Sequence, residues 1–96
     1  MVTLLIEHPI TDFDTWCTAF GRFAERRRSG GVQAERVYQP VDDPRQVVIT
    51  LDFAETSQAV AFLEFLTTQV WANPAASPAL NGTPRTAILQ PRQPAG

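Results

Sequence analysis

The chain has 96 residues, of which 44% are hydrophobic and 19% are charged. This length suits a single domain over residues 1–96, and this balance is typical of a folded protein and excludes a chain that is disordered throughout. The formal net charge is -2, so the chain lacks the broad basic field that attracts a phosphate backbone, and we expect no nucleic acid partner.

The apolar segments are short and thiols are scarce. The longest apolar runs, such as residues 47–51, fall far below the roughly 20 residues that span a membrane. No basic leader precedes the apolar run of residues 2–6, so we expect a first strand there and a cytoplasmic protein. Cys17 is the one cysteine, which excludes an internal disulfide and fits a reducing compartment. With one histidine besides, we expect no metal site.

The first half of the chain predicts a strand, a helix and a second strand. Residues 2–8 alternate in polarity with the period of a strand. A helix follows a cap at Thr11 or Asp12. Its apolar residues form one stripe along the helix: Phe13, Trp16, Cys17, Phe20, Phe23 and Ala24. Arginines at 26–28 fit the carboxyl end of a helix dipole, an interpretation that we prefer to a binding patch. Residues 32–39 predict the second strand.

The second half predicts a hairpin, a helix and a last strand. A polar turn over residues 40–45 joins the second strand to a third, whose alternating apolar side chains are Val47, Ile49, Leu51 and Phe53. The next helix begins near Thr56 and ends before Pro74, because proline disfavours helix in the residue that precedes it. Residues 73–84 form a loop, residues 86–90 a short strand, and residues 91–96 a frayed tail.

This order of elements predicts a ferredoxin-like α+β fold, β-α-β-β-α-β, with a four-stranded antiparallel sheet and both helices on one face. The opposite side of the sheet, here called the outer face, carries Thr3, Leu5, Glu7, Val48, Thr50 and Asp52. This mixture is too apolar to prefer water and too polar for a dry core. We therefore predict a homodimer that closes two outer faces around a partly polar cavity. A monomer with an exposed sheet is the alternative.

Three segments carry a family resemblance. The run Glu7-His8-x-x-x-Asp12-Phe13-Asp14-x-Trp16, with residues 36–44 and residues 47–53, resembles small bacterial proteins of the dimeric α+β barrel superfamily that are close to antibiotic biosynthesis monooxygenase-like domains. The resemblance covers about residues 2–90. It implies a homodimer with one small-molecule cavity per subunit, bounded by the sheet and the helices. Related members are similar to quinone-forming oxygenases, haem-degrading enzymes, isomerases, polyketide cyclases and stress-response proteins.

His8, Arg36 and Tyr38 are the predicted catalytic residues. His8 is the one side chain that titrates easily near neutral pH, and it is either a general base or a structural group at the strand edge. Arg36 and Tyr38 share a face of the second strand, from which they could hold an anionic or phenolic ligand. The alternative is a surface arginine above a half-buried tyrosine.

Trp71, Asn73 and Thr50 are the predicted substrate-binding residues. The resemblance to quinone-forming oxygenases implies that a tryptophan and an asparagine activate an electron-rich substrate for oxygen, and Trp71 and Asn73 end the second helix. Thr50 adds a polar group on its strand. Haem-degrading relatives use a histidine on the second helix as the iron ligand, and residues 56–73 contain none. We therefore expect no haem and no other cofactor.

Together these observations predict a small-molecule enzyme of the antibiotic biosynthesis monooxygenase-like type. Its substrate would be aromatic or polyketide-like and its reaction a cofactor-independent oxygenation. One alternative is a cyclase or isomerase in which His8 moves a proton and Arg36 stabilises an enolate. Another is a ligand-binding or stress-response dimer without catalysis.

Overall fold

The structure, a computed structural model, describes residues 1–95. Its strands are β1 (Val2–Pro9), β2 (Val32–Tyr38), β3 (Gln46–Phe53) and β4 (Arg85–Leu89). Its helices are α1 (Phe13–Gly21), α2 (Ala24–Ser29) and α3 (Thr56–Phe65), and one π-helical turn (Leu66–Val70) extends α3. The strands form one sheet in the order β2-β3-β1-β4, and each neighbouring pair is antiparallel. The predicted ferredoxin-like α+β fold is confirmed.

The core lies between the sheet and the helices. β1 and β3 occupy the middle of the sheet, and their side chains alternate strictly between buried and partly exposed. The buried side, here called the helix face, carries Val2, Leu4, Ile6, His8, Val47, Ile49, Leu51 and Phe53. Phe53 packs against Phe62 of α3 with 5.8 Å between ring centroids. Removal of this apolar surface from water is the main stabilising contribution to the fold.

The helix predicted between β1 and β2 consists of two helices. Asp12 caps α1, because its Oδ1 accepts a hydrogen bond of 2.8 Å from the backbone N–H of Thr15, which holds the pKa of Asp12 below its usual value. The chain then turns between α1 and α2. The carbonyl of Phe20 accepts the backbone N–H of Phe23 at 3.2 Å and the Nη1 of Arg27 at 2.7 Å. These two bonds tighten the chain and separate α1 from α2.

Residues 73–84, here called the strap, cross the end of β1 before β4 begins. The backbone N–H of Thr11 donates to the carbonyl of Ala79 at 2.9 Å, and that of Asn81 donates to the carbonyl of Pro9 at 3.1 Å. Ala79 is buried among the core residues. The strap is therefore fastened along its second half to the residues that end β1 and follow it.

None of the helices in residues 1–95 is long and apolar enough to cross a membrane.

The end of the chain contributes little to the core. Residues 91–95 carry no regular secondary structure. The last residue of the predicted tail, Gly96, lies outside the described residues.

Candidate functional site

A cavity lies between the helix face of the sheet, the helices and the strap. It offers about 70 Å³ to the centres of water-sized molecules, which is room for several waters at about 10–15 Å³ each. Apolar and aromatic side chains dominate its lining, among them Ile6, Trp16, Phe20, Phe23, Ile49, Leu51, Phe62, Leu66, Val70 and Trp71. Such a lining favours a flat, largely apolar ligand.

One wall of the cavity is an aromatic row on α1. Trp16 and Phe20 stack with ring centroids 4.6 Å apart and planes inclined by 22°. Their spacing of four residues places them one above the other on the same side of the helix. Sequence reasoning assigned this stripe to the core, and the structure shows that it also lines the cavity.

Another part of the lining comes from the π-helical turn. The backbone N–H of Trp71 donates to the carbonyl of Leu66 at 2.8 Å, the bond from residue i to i+5 that defines a π turn. The hydroxyls of Thr67 and Thr68 donate to the carbonyls four residues earlier, at 2.9 and 2.8 Å. Such bonds compete with the α-helical ladder. The widened turn brings Leu66, Val70 and Trp71 to the cavity together.

His8 supplies a basic nitrogen to this apolar cavity. It is 4% exposed, and its Nδ1 lies 3.0 Å from the carbonyl oxygen of Pro9. Because a carbonyl oxygen only accepts, Nδ1 carries the hydrogen, and Nε2 of the neutral ring is left as an acceptor. Burial lowers the pKa of His8, and the bond to Pro9 opposes that shift in part. At neutral pH the ring is therefore uncharged and able to take up a proton at Nε2.

Trp71 stands beside this histidine. The two rings meet edge to face, with centroids 6.4 Å apart and planes inclined by 67°. This geometry is favourable for aromatic pairs and fixes the orientation of both side chains. Of the residues predicted for the site, His8 and Trp71 are the two that line the cavity.

Arg36, Tyr38 and Thr50 lie on the other side of the sheet. In the pairing of β2 with β3, Arg36 is opposite Thr50 and Tyr38 is opposite Val48. All four therefore point to the outer face, where the Nη1 of Arg36 is 3.7 Å from the Oδ2 of Asp52. The sheet separates these residues from His8 and Trp71, so the predicted set does not form one site within a protomer.

A β-bulge near the start of β2 contributes to this placement. The register shifts between Val32 and Ala34, so one residue of β2 has no counterpart on β3. Beyond the bulge, Glu35 and Val37 pair with residues of the helix face. The partly polar cavity that we predicted between two outer faces involves a second copy and stays a prediction. The cavity described above lies on the helix face. That position matches the cavity that the family resemblance implies.

Asn73 does not line the cavity with Trp71. Its side-chain oxygen accepts the backbone N–H of Ala75 at 3.1 Å, which stabilises the first turn of the strap. From the same strap, Ser77 reaches the cavity lining, but its hydroxyl bonds the carbonyl of Val70 at 2.8 Å and that of Asn73 at 3.0 Å. Its hydroxyl therefore serves to attach the strap to the end of the π-helical turn.

Arg27 is a charged cavity residue that sequence reasoning missed. It is 6% exposed, although we assigned its segment only to the end of a helix. Its Nε donates to the Oε1 of Glu35 at 2.9 Å, and its guanidinium carbon lies 3.7 Å from the centroid of the Phe20 ring. A signal existed in the sequence. Positions 13, 16, 20, 23 and 27 continue one stripe at spacings of three and four.

Charged and metal-binding groups are sparse around the cavity. In the described part of the chain, His8 and Arg27 are the ionisable residues in the lining. No three histidine, cysteine, aspartate or glutamate residues among residues 1–95 cluster as metal ligands. The site thus combines aromatic walls, one neutral base and one buried cation.

Several solved structures share this fold at low sequence identity. An antibiotic biosynthesis monooxygenase is 12% identical, with 97% of this chain and 100% of that chain covered and a TM-score of 0.69. SnoaB, a cofactor-independent oxygenase from Streptomyces nogalater, is 18% identical, with 97% and 94% covered and a TM-score of 0.69. A dimeric ferredoxin-like protein from an uncultured marine organism is 12% identical, with 96% and 97% covered and a TM-score of 0.65.

These likenesses extend over nearly the whole chain. No family model matches the sequence, and no curated protein matches it. At such identities the likeness bears on architecture and not on activity. The chain therefore has the ferredoxin-like α+β fold of the antibiotic biosynthesis monooxygenase-like proteins.

Proposed function

We propose that this protein is a small-molecule enzyme that oxygenates an aromatic, polyketide-like phenol in its cavity without a cofactor. The observation that carries the proposal is the neutral His8, whose Nε2 is an acceptor beside Trp71 in an aromatic cavity. The shared fold with a cofactor-independent oxygenase supports the same reaction class by analogy.

The chemistry needs one base and a dry aromatic pocket. His8 Nε2 takes the phenolic proton, and the phenolate, poorly solvated among apolar side chains, becomes a better electron donor. It gives one electron to O₂, and the resulting superoxide and phenoxyl radical combine at the ring carbon para to the oxygen. The peroxide then loses water and leaves a quinone. The phenolic proton and the para hydrogen leave with one oxygen atom as water, and the other oxygen atom becomes the new carbonyl.

1-Naphthol, which carries a hydrogen on the ring carbon para to its hydroxyl, tests this proposal, with O₂ consumption measured by an oxygen electrode and labelled oxygen followed into the naphthoquinone. We expect turnover in the native protein and a loss of about 10²- to 10⁴-fold in His8→Gln, the range typical of a removed general base. Arg36→Ala is the matched control, because this residue lies on the outer face. The absence of O₂ uptake in the native protein, or full uptake in His8→Gln, would contradict the oxygenase.

The cyclase or isomerase alternative relies on the same base, but the second residue predicted for it is not in the cavity. His8 could move a proton on an enolisable substrate, whereas Arg36, proposed to stabilise the enolate, lies across the sheet. Product formed equally well with and without O₂ would favour this alternative. Binding of a naphthol with no turnover in either atmosphere would favour a ligand-binding protein.

We further propose that the outer face pairs with a second copy of the chain. Tyr38 there is 51% exposed, and Leu5 and Val48 of the same face are only partly buried. A dimeric protein with this fold supports the idea by analogy. Sedimentation at rising protein concentration should show a dimer, and a species that stays monomeric at high concentration would contradict it.

A further inference from the structure

Arg27 holds more hydrogen-bond donors than the protein uses. A guanidinium has five N–H groups, of which the Nε–H bonds Glu35 and one Nη1–H bonds the carbonyl of Phe20. No fully buried side-chain nitrogen or oxygen in residues 1–95 lacks a hydrogen-bond partner. Because Nη2 has no partner within residues 1–95, it is not fully buried, and Arg27 lines the cavity.

The charge of Arg27 is only partly neutralised. The side chain of Arg27 is 7% exposed, whereas that of its partner Glu35 is 41% exposed. Water screens the half-exposed carboxylate, so it neutralises the buried guanidinium less completely than a buried carboxylate would. Phe20, with its ring 3.7 Å from the guanidinium carbon, holds the cation in a fixed plane.

Arg27 and His8 line the same cavity and are anchored at different points along β3. His8 pairs with Val47 of β3, whereas Glu35, which holds Arg27, pairs with Leu51. Four residues along an antiparallel strand span about 13 Å. The stacked rings of α1 contribute to the wall of the same cavity. An elongated ligand can therefore meet the base with one end and the cation with the other.

From this arrangement we infer that Arg27 is a specificity-determining residue, which selects a fused-ring phenol that carries a carboxylate at the end opposite its hydroxyl. This inference rests on the proposed function in one respect, namely that the cavity is the ligand site. The planar guanidinium would donate charge-assisted hydrogen bonds to the carboxylate, and the hydroxyl would reach His8 Nε2.

Binding measurements without oxygen test the inference separately from the reaction. The probes are a hydroxynaphthoic acid with its two groups at opposite ends of the rings, the methyl ester of that acid, and the unsubstituted naphthol. Calorimetry on the full chain should show the acid binding most tightly. In Arg27→Met, the affinity for the acid should fall about tenfold to hundredfold, as expected for hydrogen bonds to a charged group, while the affinity for naphthol stays within about twofold.

Two further variants serve as a control and as an independent test. Arg28→Met alters the next arginine, which is exposed and paired with Glu25, and should leave all three affinities unchanged. Glu35→Gln keeps the guanidinium but removes its counter-charge, so it should strengthen binding of the acid and not of naphthol. This variant keeps the inference testable if Arg27→Met does not fold.

The outcomes separate the two proposals. Equal affinities for acid and naphthol in the native protein, or an unchanged preference in Arg27→Met, would overturn the role of Arg27. If none of the three aromatics binds, the cavity is not the ligand site and both proposals fall. If the acid is preferred through Arg27 but no O₂ is consumed with 1-naphthol, only the oxygenase is contradicted.

Discussion

The two faces of the sheet are built from the same strands and have opposite characters. On the helix face, β1 and β3 present fully buried apolar side chains together with His8. On the outer face, the same strands present hydrogen-bonded and charged pairs. The hydroxyl of Thr3 donates to the Oδ1 of Asp52 at 2.7 Å, and the Nη1 of Arg85 in β4 lies 2.9 Å from the Oε1 of Glu7. Neighbouring residues of one strand thus occupy very different environments.

Because of this difference, the two faces of the sheet are suited to different tasks. A general base must be uncharged, and burial on the helix face lowers the pKa of His8 and so keeps it in that state at neutral pH. Half-exposed ion pairs add little to stability but influence which surfaces come together. We therefore propose ligand binding for the helix face and pairing with a second copy for the outer face.

The largest expected contrast is in stability. Phe53→Ala removes a ring that is fully buried on the helix face and should lower the free energy of unfolding by about 3–5 kcal/mol. Thr50→Ala, on the outer face of the same strand, should change it by no more than about 0.5 kcal/mol. Urea unfolding at one matched protein concentration checks both. Similar losses in the two variants would mean that the faces do not differ as described.

A smaller contrast is expected in the pH dependence of stability. Burial lowers the pKa of His8 in the folded state below its unfolded value of 6.5. The unfolded chain therefore binds the proton more readily, and the contribution of His8 to stability is complete above pH 6.5 and is lost as pH falls through the folded pKa.

Urea unfolding over a series of pH values below neutrality measures this effect. We expect the native protein to lose stability as the pH drops below about 6.5, because the buried imidazole must become charged. His8→Gln should flatten that part of the profile. A native profile that is flat in this window, or a His8→Gln profile that matches it, would contradict the burial of a neutral histidine.

The smallest effect is expected for the outer-face arginine. Arg36 is mostly exposed, and its Nη1 lies 3.7 Å from the Oδ2 of Asp52. Arg36→Ala should therefore lower the free energy of unfolding by at most about 1 kcal/mol. Its affinity for a naphthol, measured by calorimetry, should equal that of the native protein. A loss of affinity larger than tenfold would place the ligand on the outer face instead.

The fold was predictable from the sequence because local signals agree with one another. The alternation in β1 and β3, the cap at Asp12 and the polar turn before β3 each specify an element without reference to the rest of the chain. Placement of His8 on the buried side followed from its parity with Ile6 in the same strand.

The site was less predictable because it depends on contacts between distant segments. β2 has weak alternation, and its bulge determines on which face Arg36 and Tyr38 lie. The inward turn of Arg27 depends on Glu35 of that strand and on the carbonyl of Phe20. The π-helical turn that presents Trp71 had only a pair of threonines as a local signal.

Nuclear Overhauser contacts between a bound, unlabelled naphthol and the isotopically labelled protein test the central assignment most directly. We expect contacts from the ligand to the rings of His8, Trp71 and Phe20, which line the cavity. We expect none to the ring of Tyr38 or the methyl group of Thr50. Contacts to Tyr38 and Thr50, with none to Trp71, would contradict a ligand site on the helix face.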